Sequence, residues 1–219
     1  MPQLIAMVIV VVGAMIYMFQ TFGGTGDKIE GVAQKASIIT EINNIKDGVK
    51  IAAKSGHIGD GTSDPADAVV NLAGLGTLSY FAEQINEQVK ANASANTYNA
   101  ISFGGAKDST TPAMQISLVA SKAVGTVKMI PGIFVDLSKG SLKDNKAFLE
   151  AQIATDLSAI AYIDRAATTA VAATTARGTA TELDKRTPSD TKATPSAAEL
   201  ADGTFIIYFK DFGSDEVVQ

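Results

Sequence analysis

The chain opens with two helical patterns of different character, placed one after the other. Residues 4–19 are apolar or small at every position, and the first charged side chain is Asp27. With its flanks this segment predicts a helix of about twenty residues and about 30 Å, the hydrocarbon thickness of a membrane. A helix that is apolar on all faces lies either in lipid or inside protein.

Three interpretations of this apolar segment stay open. A secretory signal peptide needs a basic region before the apolar run and a small-residue cleavage site after it, and neither is evident. A permanent membrane anchor fits the length. The third, which we favour, is a helix that lies first in a membrane and later in a protein core. Because inserted proteins usually carry Lys or Arg on the cytoplasmic side, we expect that a basic leader has been removed and that Met1 is the mature N-terminus.

The second pattern, residues 27–55, predicts an amphipathic helix. Asp27 suits its start and Gly56 suits its end. A glycine-rich joint at residues 23–26 separates it from the apolar segment, since each glycine costs a helix about 1 kcal/mol relative to alanine. Apolar residues at steps of three and four define one buried stripe: Ile29, Val32, Ala36, Ile39, Ile42, Ile45, Val49 and Ala52.

The remainder of the chain predicts a mixed α+β head. A helix is expected within residues 77–92, with Phe81, Ile85 and Val89 on one face. β-Forming clusters predict strands at "NAISF" and "MQISLVA", a strand pair in "TVKMIPGIFVDL" turned at Pro131-Gly132, and a buried strand at "GTFIIYF". A second helix is expected over residues 144–163, with Phe148, Ile153, Leu157, Ile160 and Ile163 along one side. Residues 166–202 are rich in Ala, Thr and Ser and predict a variable surface segment.

Composition leaves little material for catalysis. The 219 residues carry a net charge of −5, one histidine and no cysteine, which excludes disulfides and thiolate chemistry and gives no basic surface for nucleic acid. His57 lies in a glycine-rich loop and is expected to be exposed. Asp60, Asp64 and Asp67 lack the spacing of a calcium loop. We therefore predict no enzyme activity, no metal and no cofactor. Asn92 fits the sequon for N-glycosylation.

In this order of elements the chain resembles a type IV pilin, and more closely the type IVb branch that includes the toxin-coregulated and bundle-forming pilins. The resemblance is carried at near-motif level by residues 1–55 ("MPQLIAMVIVVVGAMIYMF", then "DKIEGVAQKASIITEINNIKDGVKIAAKSG") and more loosely by "NAISF…MQISL", the helix at 144–163 and "GTFIIYF". It implies the pilin fold, a long N-terminal helix packed on an antiparallel sheet. Residues 1–26 would be the transmembrane and filament-core segment, and residues 27–219 the globular head.

The resemblance also implies a function and a set of contact residues. Subunits of this family are cut by a prepilin peptidase, carry a methylated first residue (here Met1), wait in the inner membrane, and are assembled by a dedicated machinery into an extracellular helical homopolymer used for adhesion, motility or DNA uptake. Joint residues Gly23, Gly24 and Gly26 would allow the helix to melt on assembly. Core contacts would be made by Leu4, Ile5, Met7, Val8, Val11, Val12, Gly13, Met15, Ile16 and Phe19.

Two departures from the family pattern stand out. The family usually carries glutamate at the fifth mature position, where this chain has Ile5, so the usual pairing with a neighbour's N-terminal amine cannot form. The C-terminal cysteine pair is absent as well. The helix at 144–163, packed on the sheet, is expected to hold residues 144–219 in place instead, together with neighbouring subunits in the filament.

Other functions fit the same sequence. A pseudopilin of a secretion system, or an archaeal-type pilin, would share the apolar segment. A membrane-anchored periplasmic binding or sensor domain belongs to a different class and predicts a monomer with a ligand pocket in its head. The length of the chain and the surface segment at 166–202 favour a major filament subunit.

Overall fold

A computed structural model describes residues 30–62, 65–92 and 94–219. The predictions for residues 1–29 fall outside the described residues, among them the helix start at Asp27 and the stripe residue Ile29. These include the processed N-terminus at Met1, the ten core contacts from Leu4 to Phe19, and the joint glycines Gly23, Gly24 and Gly26.

A long helix, α1, occupies residues 30–54 and confirms the amphipathic pattern. Gly56 ends it as predicted, in a left-handed conformation (φ 73°). The Gly56 and His57 amides donate to Ala53 and Ala52 carbonyls, each at 3.0 Å, which is the hydrogen-bond pattern of a glycine C-cap. Its buried stripe is formed by Ile38, Ile42, Ile45, Val49, Ala52 and Ala53.

The predicted stripe is wrong at the start of α1. Val32 is 59% exposed, Ala36 is exposed, and Ile38 is fully buried where Ile39 was expected. The physical reason is that the helix containing Phe148 crosses α1 at Gly31. A Cβ added at Gly31 would lie 3.0 Å from Cε1 of Phe148. This contact turns the Gly31 side of α1 inwards and the Val32 side outwards.

Two short helices follow, α2 at Leu72–Thr77 and α3 at Glu83–Ala91. The prediction for α3 is confirmed, because Phe81, Ile85 and Val89 are all buried. The strands are β1 (Tyr98–Asn99), β2 (Gln115–Val119), β3 (Gly132–Asp136), β4 (Ala161–Asp164) and β5 (Thr204–Phe209). They form one antiparallel sheet in the order β1-β2-β3-β5-β4.

The strand predicted at the end of the chain, β5, lies inside the sheet with all six residues buried. Three other expectations need correction. The strand expected at "NAISF" is wrong beyond Asn99, because β1 ends there and Ile101–Phe103 form a 3-10 helix. "TVKMIPGIFVDL" contributes the single strand β3 and not a strand pair. The helix expected over 144–163 is shorter: α4 spans Lys146–Leu157, and β4 begins at Ala161. Lys210 N donates to Ile160 O at 2.9 Å, so pairing with the end of β5 takes over from the helical pattern there.

The sheet is covered on both faces. Phe209 faces α1, since Lys46 Nζ lies 4.7 Å from its ring centroid. Adjacent residues in a strand point to opposite faces, so Tyr208 and its register partner Tyr162 face the other side. There, Asp184 in helix α5 (Glu182–Arg186) accepts a hydrogen bond from Tyr162 Oη at 3.0 Å.

The segment at 166–202 therefore covers the face of the sheet opposite α1. Arg177 adds a second contact, with its guanidinium carbon 4.3 Å from the Tyr162 ring centroid. Within the described ranges, no helix combines the length and the apolar character needed to cross a membrane.

Candidate assembly surface

After Glu30, which is exposed, the charged side chains in the first half of α1 are directed towards the protein's own head. Lys35 Nζ pairs with Asp156 Oδ2 at 2.6 Å, and Lys46 Nζ pairs with Asp211 Oδ2 at 2.7 Å. Glu41 is also turned inwards and is only 2% exposed. The charged residues that lie between Glu30 and Asp47 are Lys35, Glu41 and Lys46. Each of them is thus paired with a group of its own subunit.

Glu41 fixes the sheet edge to α1. Its two carboxylate oxygens accept hydrogen bonds from Tyr98 Oη and from Ser102 N, each at 2.8 Å. Burial, reinforced by the charge of Glu41, raises the pKa of the Tyr98 hydroxyl well above its ordinary value. Tyr98 therefore remains a neutral donor, and the pair acts as a structural link.

The opposite, outward face of α1 carries no charge over residues 32–44. The outward positions within this range recur at the helical period, so they lie on one side of the helix and extend for about 18 Å. An ordinary surface helix shows charged and polar residues to water and apolar residues to the core. Here the charges point inwards, and the exposed positions are Val32, Ala33, Ala36, Thr40, Asn43 and Asn44.

This uncharged outer face, which we call the α1 face, suits contact with another apolar surface. The Thr40 hydroxyl donates to Ala36 O at 3.0 Å, so its polar group is satisfied within the helix. Small side chains such as Ala33 and Ala36 permit close approach of a second helix. A lysine or glutamate at these positions would have to be stripped of water in such a contact.

His57 is half-buried, where the sequence suggested an exposed loop position. Its Nδ1 contacts Tyr80 Oη, and its Nε2 lies 3.4 Å from Asp67 Oδ2. His57 and Asp67 border an open cleft of about 520 Å³ that is also lined by Lys54 and Lys128. No cluster of three or more metal-ligating side chains occurs in the described part of the chain.

The other candidate positions do not converge on a reaction site. Asp60 accepts a hydrogen bond from Thr62 N at 2.8 Å, Asp67 contacts His57, and Asp64 lies outside the described residues. The Asn92 side chain donates to Thr97 O at 2.7 Å and accepts from Ser94 N at 2.9 Å. Glycosylation of Asn92 stays a prediction.

A second cleft of about 520 Å³ lies within the segment at 166–202 and is lined mainly by Ala and Thr. Its charged residues are paired: Asp190 with Arg177 at 3.0 Å, and Lys192 with Glu199 at 2.8 Å. The Lys192 ammonium, together with hydrogen bonds from Ser196, lowers the pKa of Glu199 to about 2. The arrangement orders a loop and presents no nucleophile–base pair.

Sequence reasoning missed two features that shape the surface. One is the pairing of Lys46 with Asp211, which joins residues far apart in the chain. The other is the exposure of Phe148 at 45% and Ile160 at 50%. A signal for the second existed in α4 itself, because alanines interrupt its apolar stripe and its charges after Lys146 are limited to Glu150 and Asp156.

No family model, curated protein or solved structure matches this chain.

Proposed function

We propose that this chain is the major structural subunit of a type IV pilus of the IVb-like kind, and that it works by assembly and not by catalysis. The observation that carries the proposal is the α1 face: a helix whose charges between Glu30 and Asp47 all turn inwards and whose outer side is uncharged over residues 32–44. In the sequence, the uncharged residues 1–26 precede this helix, and Asp27, Lys28 and Glu30 separate them from the α1 face.

The energetics favour transfer of the apolar segment between two apolar surroundings. Moving each large apolar side chain out of water contributes about 1.5–3 kcal/mol. Moving it from lipid to a protein core changes far less, because both are apolar, and packing then decides the outcome. A subunit held in the inner membrane by residues 4–19 can pass into a filament whose core is made of the same segments.

The alternative functions named above differ in whether the chain assembles into a filament. A pseudopilin or an archaeal-type pilin would assemble through the same surfaces, whereas an anchored binding or sensor domain would remain a monomer in the membrane. The α1 face favours the assembling classes, because a monomeric domain has no need to keep charge off the outside of its longest helix.

A matched pair of alanine substitutions tests the proposal. Ala36 lies on the α1 face and Ala91 lies at the end of α3, and both are exposed helical alanines. We expect Ala36→Lys to abolish sheared surface filaments seen by electron microscopy while the subunit accumulates, folded, in the membrane fraction. Ala91→Lys should leave filament number unchanged. Normal filaments from Ala36→Lys, or an unaltered chain that stays monomeric in the membrane, would contradict the proposal.

A further inference from the structure

Helix α4 presents a second uncharged face to solvent. Its two acidic residues do not reach this face unpaired: Glu150 is buried against Arg165 (2.7 Å), and Asp156 pairs with Lys35. The uncharged outward positions of α4 are Ala147, Phe148, Ala151 and Thr155, and the exposed Asp156 lies next to Thr155. The turn after α4 adds the exposed residues Ser158, Ala159 and Ile160, and Lys210 Nζ donates to Ser158 O at 2.7 Å. We call this set the α4 face.

Two bulky apolar side chains mark the ends of the α4 face. Phe148 lies within α4 and is 45% exposed, and Ile160 lies in the turn after α4 and is 50% exposed. Single exposed apolar residues are common on protein surfaces, but the helical spacing places Phe148 beside Ala147 and Ala151, and an uncharged stripe of this kind suits an interaction site.

The α4 face is continuous with the α1 face. Phe148 lies against Gly31 of α1, and Asn145 Nδ2 donates to Gln34 Oε1 at 3.4 Å. The charged groups at the seam, Lys35 and Asp156, neutralise each other at 2.6 Å. An apolar partner that passes from Val32 to Phe148 therefore crosses a neutralised pair, and the charged residue next to Gly31 is the exposed Glu30, which accepts a hydrogen bond from Gln34 Nε2 at 2.9 Å.

We infer that the α4 face is covered by the apolar segment, residues 4–22, of a second copy of this chain. The inference rests on the proposed function. A segment that is apolar on every side needs uncharged neighbours on every side, and the α1 face of one neighbour covers a single side. The α4 face supplies a further uncharged side, and its alanines at 147 and 151 let a helix approach closely.

Because the chain contains no cysteine, engineered cysteine pairs test this contact directly. Ala151→Cys is combined in turn with cysteine at each of the four consecutive residues Val8, Ile9, Val10 and Val11, which together sample all sides of a helix. Filaments are oxidised and run on denaturing gels without reductant. We expect at least one pair to give a ladder of cross-linked multimers. A disulfide formed within one subunit would mean that the segment folds back on its own head. No cross-link in any pair would mean that the α4 face is not in contact with the segment. Either result overturns the inference.

A parallel set with Ala36→Cys in place of Ala151→Cys separates this inference from the proposed function. Multimer ladders from the Ala36 set alone would retain the filament and refute the role of α4. Absence of filaments in the unaltered chain would refute the proposed function itself.

Fluorescence gives an independent reading, since the chain also lacks tryptophan. A Phe148→Trp variant carries a single indole on the α4 face. We expect its emission to shift to shorter wavelength and its quenching by acrylamide to fall at least threefold in filaments, relative to subunits in detergent. Equal quenching in both states would contradict the inference. Brominated lipid in vesicles could instead quench the indole to the same extent as filament formation protects it from acrylamide. That result would also contradict the inference, because the partner would then be the membrane surface.

Discussion

Lys46 Nζ lies 2.7 Å from Asp211 Oδ2 and 4.7 Å from the centroid of the Phe209 ring, so one ammonium group ties α1 to the strand β5 and to the residue two positions after its end. Lys50 Nζ adds a second contact to the same carboxylate at 3.1 Å. In a chain without cysteine, this pairing fixes the C-terminal segment to the long helix, a role that the sequence analysis gave to the helix at 144–163 and to neighbouring subunits in the filament.

We expect Asp211→Asn to lower the free energy of unfolding by about 0.5–1 kcal/mol at neutral pH, a small effect because the carboxylate is half-exposed and screened. Burial alone would raise the pKa of Asp211, but hydrogen bonds from Lys46 and Lys50 outweigh it and the pKa is lowered. The contribution is therefore present above the ordinary pKa of aspartate and lost as the pH falls through the lowered one.

Urea unfolding of the full chain in detergent, at pH 7 and in acid, measures this effect. The gap between the unaltered chain and Asp211→Asn should close in acid. Asp215→Asn is the control, since Asp215 is exposed and its carboxylate contacts Ser214 Oγ at 3.2 Å. An equal loss in the control, or a gap that does not depend on pH, would show that the lysine pairing is not the cause.

The buried carboxylate of Glu150 predicts a larger effect. It is fully buried and accepts hydrogen bonds from Arg165 Nε at 2.7 Å and Gly203 N at 2.9 Å. Arg165→Met leaves this charge without its partner, and we expect a loss of about 3 kcal/mol in unfolding free energy at pH 7. Burial raises the pKa of Glu150 despite both contacts, so the folded state takes up a proton more readily than the unfolded state.

The sign of the pH dependence is then opposite to that of Asp211. Stability of Arg165→Met should increase as the pH falls from 7 through the raised pKa of Glu150, because protonation removes the unpaired charge. Urea unfolding at several pH values measures it. The double variant Glu150→Gln/Arg165→Met should lose less stability at pH 7 and show no such recovery. A loss in the double variant equal to that of Arg165→Met would show that the packing of the arginine stem, and not the charge, is responsible.

Much of the fold could be predicted where a local pattern has one outcome. The stripe of α1, the C-cap at Gly56 and the buried strand β5 follow from spacing and residue type within a single segment. The end of α4 could not be predicted, because Ile160 and Ile163 continue the helical spacing and only their pairing with β5, more than forty residues later, makes a strand there.

The candidate surface was less predictable for a related reason. Val32 has the same apolar character as the residues of the stripe, and only the packing of Phe148 on Gly31 decides which side of α1 turns inwards. The inward direction of Lys35, Glu41 and Lys46 likewise depends on partners from distant parts of the chain. Residues 1–26, on which the resemblance rests most heavily, lie outside the described structure, so their roles stay predictions.

Two hydroxyl groups in the core lead to a prediction of unchanged or increased stability, in contrast to the losses predicted above. Tyr208 Oη and Ser121 Oγ are buried close to each other, and neither makes a hydrogen bond of good geometry with a described residue. Burial raises the pKa of the tyrosine, and the nearby Ser121 hydroxyl offsets this only in part. A buried polar group without a partner costs free energy, and removing both groups is nearly neutral or stabilising. We expect Tyr208→Phe/Ser121→Ala to match or exceed the unaltered chain by up to about 1 kcal/mol in urea unfolding. A loss greater than about 1 kcal/mol would show that the two hydroxyls are bonded in solution.

The two glycines within α1 should respond in opposite ways to alanine. In an exposed helix, Gly→Ala stabilises by about 1 kcal/mol through helix propensity. At Gly48, however, an added Cβ would lie 2.7 Å from the backbone oxygen of Tyr80 and would also strike the Phe81 ring. A carbonyl fixed in the chain cannot move aside as a side chain can, and overpacking of this kind costs about 1–3 kcal/mol. The clash therefore exceeds the gain, and we expect Gly48→Ala to be destabilising by about 1–2 kcal/mol.

Gly31→Ala is the matched substitution in the same helix. Its Cβ would meet Cε1 of Phe148 at 3.0 Å, but this ring is half-exposed and can turn outwards by a few tenths of an ångström. The gain in propensity then remains, so we expect Gly31→Ala to be neutral or stabilising by up to about 1 kcal/mol. Thermal unfolding of both variants in detergent, followed by circular dichroism at 222 nm, compares them. If Gly31→Ala proved as destabilising as Gly48→Ala, Phe148 would be held rigidly against α1, and its freedom to meet a second subunit would be in doubt.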